Sequence, residues 1–160
     1  MKRSNLILIV IFLLQACTDR PGVDRFYTDQ GEFDMSRFPL VKPYEAITVI
    51  PPIAGWGIQP EYGDTSALLS ISGVKALNKV DSTIYAYAQN TFLHGTEAKE
   101  GWFILIPKKQ ILLEFDTEKR YLHYLHTIRI KPPKLFSPDR VLQYYFSKDT
   151  LDWKEYNRTH

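Results

Sequence analysis

Apolar residues in this chain fall first into short runs with a period near two, and only later into stripes with a period near 3.6. Ala46–Ile50 is a short β-branched run, approached through Pro39 and Pro43 and closed by Pro51 and Pro52. Prolines on both sides predict an edge strand. Ala54–Ile58 reads as a turn and a short strand, and Pro60–Asp64 as a loop. Leu69 and Ile71 then alternate with Ser70 and Ser72, as in a half-buried strand. Gly73 interrupts, and the apolar phase moves to Val74 and Ala76, which predicts a β-bulge. Thr83–Ala88 predicts a strand with one small aliphatic face and one aromatic face, the latter carrying Tyr85 and Tyr87. Trp102–Ile106 is apolar on both faces, so cover is expected on both sides and Trp102 is expected in the core. After a turn at Pro107–Gln110 the chain returns through Ile111–Phe115. Consecutive strands with short links predict an antiparallel meander.

The helical period begins at Asp116-Thr117-Glu118-Lys119. Asp116 or Thr117 can cap a helix running to about His126, and Glu118 suits the positive end of its dipole. Tyr121, Leu122, Leu125 and Ile128 share one face of it. A second helix is predicted from Ser137-Pro138-Asp139, with Ser as cap and Pro at the first helical position. Its stripe is Val141, Leu142, Tyr145 and Phe146, and the tail offers Leu151, Trp153 and Tyr156 for docking. No internal repeat is visible. The expectation is an α+β fold: an antiparallel β-meander packed with two late α-helices, forming a single domain over residues 38–160.

The first seventeen residues change the picture. Two cations at Lys2 and Arg3 precede a nine-residue apolar run, Leu6–Leu14, and then Gln15-Ala16-Cys17. The run is too short for a membrane span, which needs about 20 apolar residues, and it matches a signal peptide. Leu14-Gln15-Ala16-Cys17 resembles the lipobox of bacterial lipoproteins. That likeness implies cleavage before Cys17, a signal peptide over 1–16 and an acylated Cys17 as the membrane anchor. Residues 17–37 then read as the lipidated cysteine and a polar, turn-rich tether. Thr18 rather than Asp follows Cys17, which in Gram-negative lipoproteins implies the outer rather than the inner membrane.

Composition supports this picture and excludes others. The 160 residues include one cysteine, so no intrachain disulfide can form. Loss of Lys2 and Arg3 with the signal lowers the basic residues from 20 to 18, equal to the 18 acidic ones. A neutral mature chain offers no general attraction for nucleic acid. Locally, Ala98–Lys134 holds eight Lys or Arg against four Asp or Glu, a mildly basic segment.

The stretch from Ile84 to Leu122 resembles short uncharacterised lipoproteins of Gram-negative bacteria, each with a lipobox signal and a small α+β domain. Ile84-Tyr85-Ala86-Tyr87, Gly101–Ile106 and Phe115-Asp116-Thr117-Glu118 carry the likeness, with Phe38–Tyr44 as a matching entry segment. It implies a place in the cell envelope and supplies no activity.

Candidate chemistry is sparse. His123 and His126 stand three apart on the first predicted helix, but opposite its apolar face and beside Lys119, so solvent exposure is expected and a metal is not. His94 lies in the predicted Asn90–Glu100 loop with Phe92 and Leu93; the two readings are a recognition surface at the loop tip and a long hairpin connection whose Phe92 and Leu93 fold back on the sheet. Phe92, His94, Tyr85 and Tyr87 are the candidate interaction residues, because amphipathic rings suit binding surfaces. No nucleophile elbow, phosphate-binding glycine loop or cofactor motif occurs. The expected function is a lipid-anchored, non-catalytic interaction module with an unknown protein partner. The alternatives are an immunity protein that neutralises a toxin at the membrane and a small periplasmic hydrolase.

Overall fold

The computed structural model describes residues 24–31, 34–49, 55–61 and 69–160. The signal segment and Cys17 lie outside the described residues. Seven antiparallel strands form one sheet in strict chain order: β1 Met35–Val41, β2 Tyr44–Val49, β3 Trp56–Pro60, β4 Ile71–Val80, β5 Thr83–Leu93, β6 Thr96–Ile106 and β7 Ile111–Phe115. Three helices follow: α1 Glu118–Thr127, α2 Pro138–Lys148 and α3 Trp153–Thr159. The class is α+β, as the pattern predicts, with the short tail helix α3 in addition to the two expected.

Local chemistry accounts for most boundaries. Thr117 caps α1, its hydroxyl accepting from the Arg120 N–H at 3.4 Å. Pro138 opens α2 behind Ser137. Asp152 caps α3, accepting from the N–H groups of Lys154 (2.8 Å) and Glu155 (3.1 Å). The bulge expected at Gly73 is present. There φ is +68°, and a Cβ would meet the Gln89 carbonyl oxygen at 2.0 Å, so only glycine lets β4 approach β5 this closely. The pairing of β4 shifts register on both sides, between Trp56 and Ile58 of β3 and between Val74 and Ala76.

Each face of the sheet carries its own core. On one face Phe38, Tyr44, Ile58, Leu77, Ile84, Phe103 and Leu105 meet Phe136, Val141, Tyr145, Trp153 and Tyr156 from α2, α3 and the segment before α2. The sheet curls around these helices, so that β1 contacts β5. On the opposite face α1 places Tyr121 and Leu125 against Tyr85 and Ile104, with Trp102, Ile106, Leu113 and Phe115 partly covered at the margin. Strand β6 is therefore covered on both sides, as its doubly apolar run requires.

Four expectations need correction. The edge strand is β1, because Phe38–Val41 itself pairs with β2, so Ala46–Val49 lies one strand inside. The predicted tether is partly structured: Arg25–Tyr27 forms a 3-10 turn, Phe26 is buried, and the carbonyls of Tyr27 and Asp29 accept the Tyr145 hydroxyl at 3.1 and 3.3 Å. Trp102 is half-buried rather than central, its ring tilted against Tyr87 with centroids 4.9 Å apart. On α2, Phe146 is exposed and Tyr144 turns inward against Tyr156.

Candidate functional site

The hairpin of β5 and β6 does not contain the expected long loop. Residues 90–100 continue both strands to a two-residue turn, His94-Gly95, with φ of +50° and +77°. Positive φ at both central residues matches the right-handed twist of a tight hairpin. Asn90 also takes a positive φ, +49°, in the middle of β5. The arm folds back over the sheet, bringing a methyl of Leu93 to 2.9 Å from where a Gly101 Cβ would stand. Leu93 joins the larger core, whereas Phe92 points away and is 54% exposed.

That fold-back carries His94 to the end of β7. Its Nδ1 lies 3.0 Å from Glu114 Oε2, and its backbone N–H donates to the same oxygen. The imidazole stays in solvent while Glu114 is largely covered. Next in the chain, Asp116 holds Arg120 at 2.9 Å across one turn of α1. Between the hairpin tip, the end of β7 and the start of α1 lies a cleft of about 740 Å3, lined by His94, Glu114, Thr117, Lys119, Arg120 and His123 among others. His94 and Arg120 engage the two carboxylates, so Lys119 is the cation of this wall with no ion pair among the described residues. A second hollow, about 940 Å3, continues past His123 along the outer side of α1 to Leu122, Arg129, Ile130 and Lys131. Leu122 and Ile130 are exposed there, so the surface combines cationic and apolar groups.

The remaining candidates separate. Tyr85 is not on a surface: it is 4% exposed beneath α1, and burial raises its hydroxyl pKa. Its strand face is the one α1 covers, so tyrosine there serves packing. Tyr87 is half-buried, with its hydroxyl donating to Glu100 (3.0 Å) and accepting from Gln89 (2.8 Å). His123 and His126 are both exposed on α1, as their helical phase predicts. Among the described residues no group of three His, Cys, Asp or Glu side chains is arranged to hold a metal.

Glu114, Lys119 and Arg120 escape sequence reasoning. The available signal is Glu114 itself, the one charge inside the apolar run Ile111–Phe115.

A separate ionic cluster sits on β1 and β2. Arg37 pairs with the buried Glu45, with Asp29 at 3.3 Å and, more distantly, with Glu61 at 3.9 Å. Loss of water pushes the Glu45 carboxyl up to about 7, against the pull of Arg37 and with help from the two neighbouring carboxylates. Its pairing is internal, so it is a structural cluster.

No family model matches this chain, and no curated protein or solved structure matches it.

Proposed function

We propose that this protein is a lipid-anchored interaction module of the cell envelope, non-catalytic, that binds an anionic surface of a protein partner in the cleft between the β5–β6 tip and α1. The anchor rests on the signal-like N-terminus and Leu14–Cys17, and the outer membrane is the expected address because Thr18 follows the cysteine. The binding role rests on one observation above all. The hairpin arm is bent and pinned so that His94 closes one wall of a cleft whose other wall presents Lys119 and the start of α1. The pinned hairpin tip loses little freedom on binding, and the exposed Phe92 on the same arm offers an apolar anchor.

Two experiments test the parts separately. Cys17→Ser should abolish incorporation of labelled palmitate and release the protein from membranes; label and membrane association surviving together would remove the anchor. A photo-reactive residue in place of Phe92 or Lys119 should cross-link a partner in intact cells, and one in place of Lys154 on α3 should not. Equal cross-linking from both places, or from neither, would remove the cleft as the binding surface.

A further inference from the structure

From Lys119 to Pro138 the chain holds five Lys or Arg and no Asp or Glu. At the centre of this stretch, where α1 ends, Ile128, Arg129, Ile130 and Lys131 alternate aliphatic and cationic. All four are exposed, as is Leu122 on the helix before them. The helix closes with the Arg129 N–H donating to the His126 carbonyl at 3.0 Å and the Ile130 N–H to that of Leu125 at 2.9 Å. This closure sets Arg129 at a φ of +58°, a position that glycine fills at least cost. An arginine is held there against its backbone preference. Pro132 and Pro133 then stiffen the segment.

The surrounding charges leave this face cationic. Arg120 is spent on Asp116, and the Lys134 ammonium donates to the His160 carbonyl. Glu118, one helical turn before Leu122, stands next to Lys119, and Asp81 in the β4–β5 turn shares a hollow with Lys79. Arg129 and Lys131 have no ion pair among the described residues. No carboxylate lines the hollow of about 940 Å3 that they share with Leu122, Ile130 and Pro132. Aliphatic groups among unpaired cations suit a phosphate-bearing lipid surface, the apolar groups entering the acyl boundary while the long cationic chains reach the headgroups. The path of the chain favours the same occupant. Six residues separate Cys17 from Asp24, a reach of at most about 25 Å. Tyr27 lines the hollow that holds Lys79 and Asp81, and the adjacent Asn78 donates to the Lys134 carbonyl at 2.7 Å. The chain therefore enters at the end of the sheet that the segment after α1 crosses. We infer that the outer side of α1 and the Ile128–Lys131 segment lie on the headgroups of an anionic membrane, a second attachment besides the N-terminus. The inference rests on the proposed membrane address and is independent of the cleft's ligand.

An environment-sensitive fluorescent residue in place of Thr127, in the full chain incorporated into vesicles, tests it. Lipid with brominated acyl chains should quench it when the vesicles contain phosphatidylglycerol, and much less in phosphatidylcholine alone. The same residue in place of Lys154 on α3 should be quenched in neither. R129E/K131E should lower the ratio of docked to undocked chain by about tenfold or more. R129G suits the φ at that position, so it should weaken docking severalfold while the unfolding midpoint stays level or rises, which separates docking from folding. Equal quenching at both places, quenching indifferent to lipid charge, or R129E/K131E docking like the unaltered chain would each overturn the proposal. No quenching on anionic vesicles would overturn it too, and a protein cross-linked from position 127 in intact cells would then take the face. Flotation with phosphatidylcholine vesicles reads the anchor separately. A chain that fails to float there, yet is quenched at position 127 on anionic vesicles, loses the anchor and keeps this face.

Discussion

The two faces of the sheet are built on different terms. The face under α2 and α3 is continuous and apolar from β1 to β7, and its helices are also tied down by long-range hydrogen bonds. Trp56 donates to Asp139 at 2.9 Å, Trp153 to the Pro39 carbonyl, and Tyr145 to the turn before β1. The opposite face is divided. One end is the ionic cluster around Arg37 and Glu45; the other is a small patch where Tyr121 and Leu125 of α1 rest on the buried Tyr85 and Ile104. The difference teaches where the molecule keeps its stability and where it has surface to spare. One helix layer closes a core, while α1 covers a limited apolar patch and leaves its outer side to cations and histidines.

Tryptophan on each face gives the sharpest contrast. Trp153→Ala removes a nearly covered indole and its bond to Pro39, and should cost about 3–5 kcal/mol in denaturant unfolding. A loss under about 1 kcal/mol would mean that α3 contributes little to the core.

Glu45 tests the ionic end. Its folded pKa, about 7, lies above the ordinary value of 4.5, so the folded state binds the proton more tightly. The associated stability is full below pH 4.5 and is lost as pH rises through 7, a change on the order of 3 kcal/mol. Glu45→Gln should flatten that slope over pH 4.5–8, measured against the unaltered chain. An unchanged slope would assign the pH dependence to other groups.

Trp102→Ala, on the α1 face, should cost about 2 kcal/mol, between a core and a surface truncation, because the ring is half-buried against Tyr87. A cost equal to that of Trp153→Ala would erase the distinction between the faces. Smallest of all, Leu122→Ala on the outer side of α1 should change stability by under about 0.5 kcal/mol. A larger loss would show that this exposed side is part of the fold rather than a free surface.

Much of the fold was legible before the structure. The bulge at Gly73, the cap at Thr117, the Pro138 start and the two-sided cover of β6 all follow from neighbours within a few residues. The misplaced edge shows where that logic stops: prolines around Ala46–Ile50 signal an edge nearby, but Pro39 serves it from β1, one strand away. The candidate site divides the same way. His94 and Phe92 were legible as a tip, whereas Tyr85 went under α1 and Glu114 came to His94.

By itself the sequence determined what short-range chemistry can determine: strand and helix periods, caps, turns, the α+β class and a lipobox-like N-terminus. Tertiary structure alone decided which edge is covered, which tyrosine is buried and which carboxylate His94 meets. Those outcomes depend on how far the sheet curls and where a hairpin arm bends, as at Asn90, and so on contacts between residues distant in the chain. A period of two or 3.6 records which side of an element is apolar, and carries no information about what that side will meet.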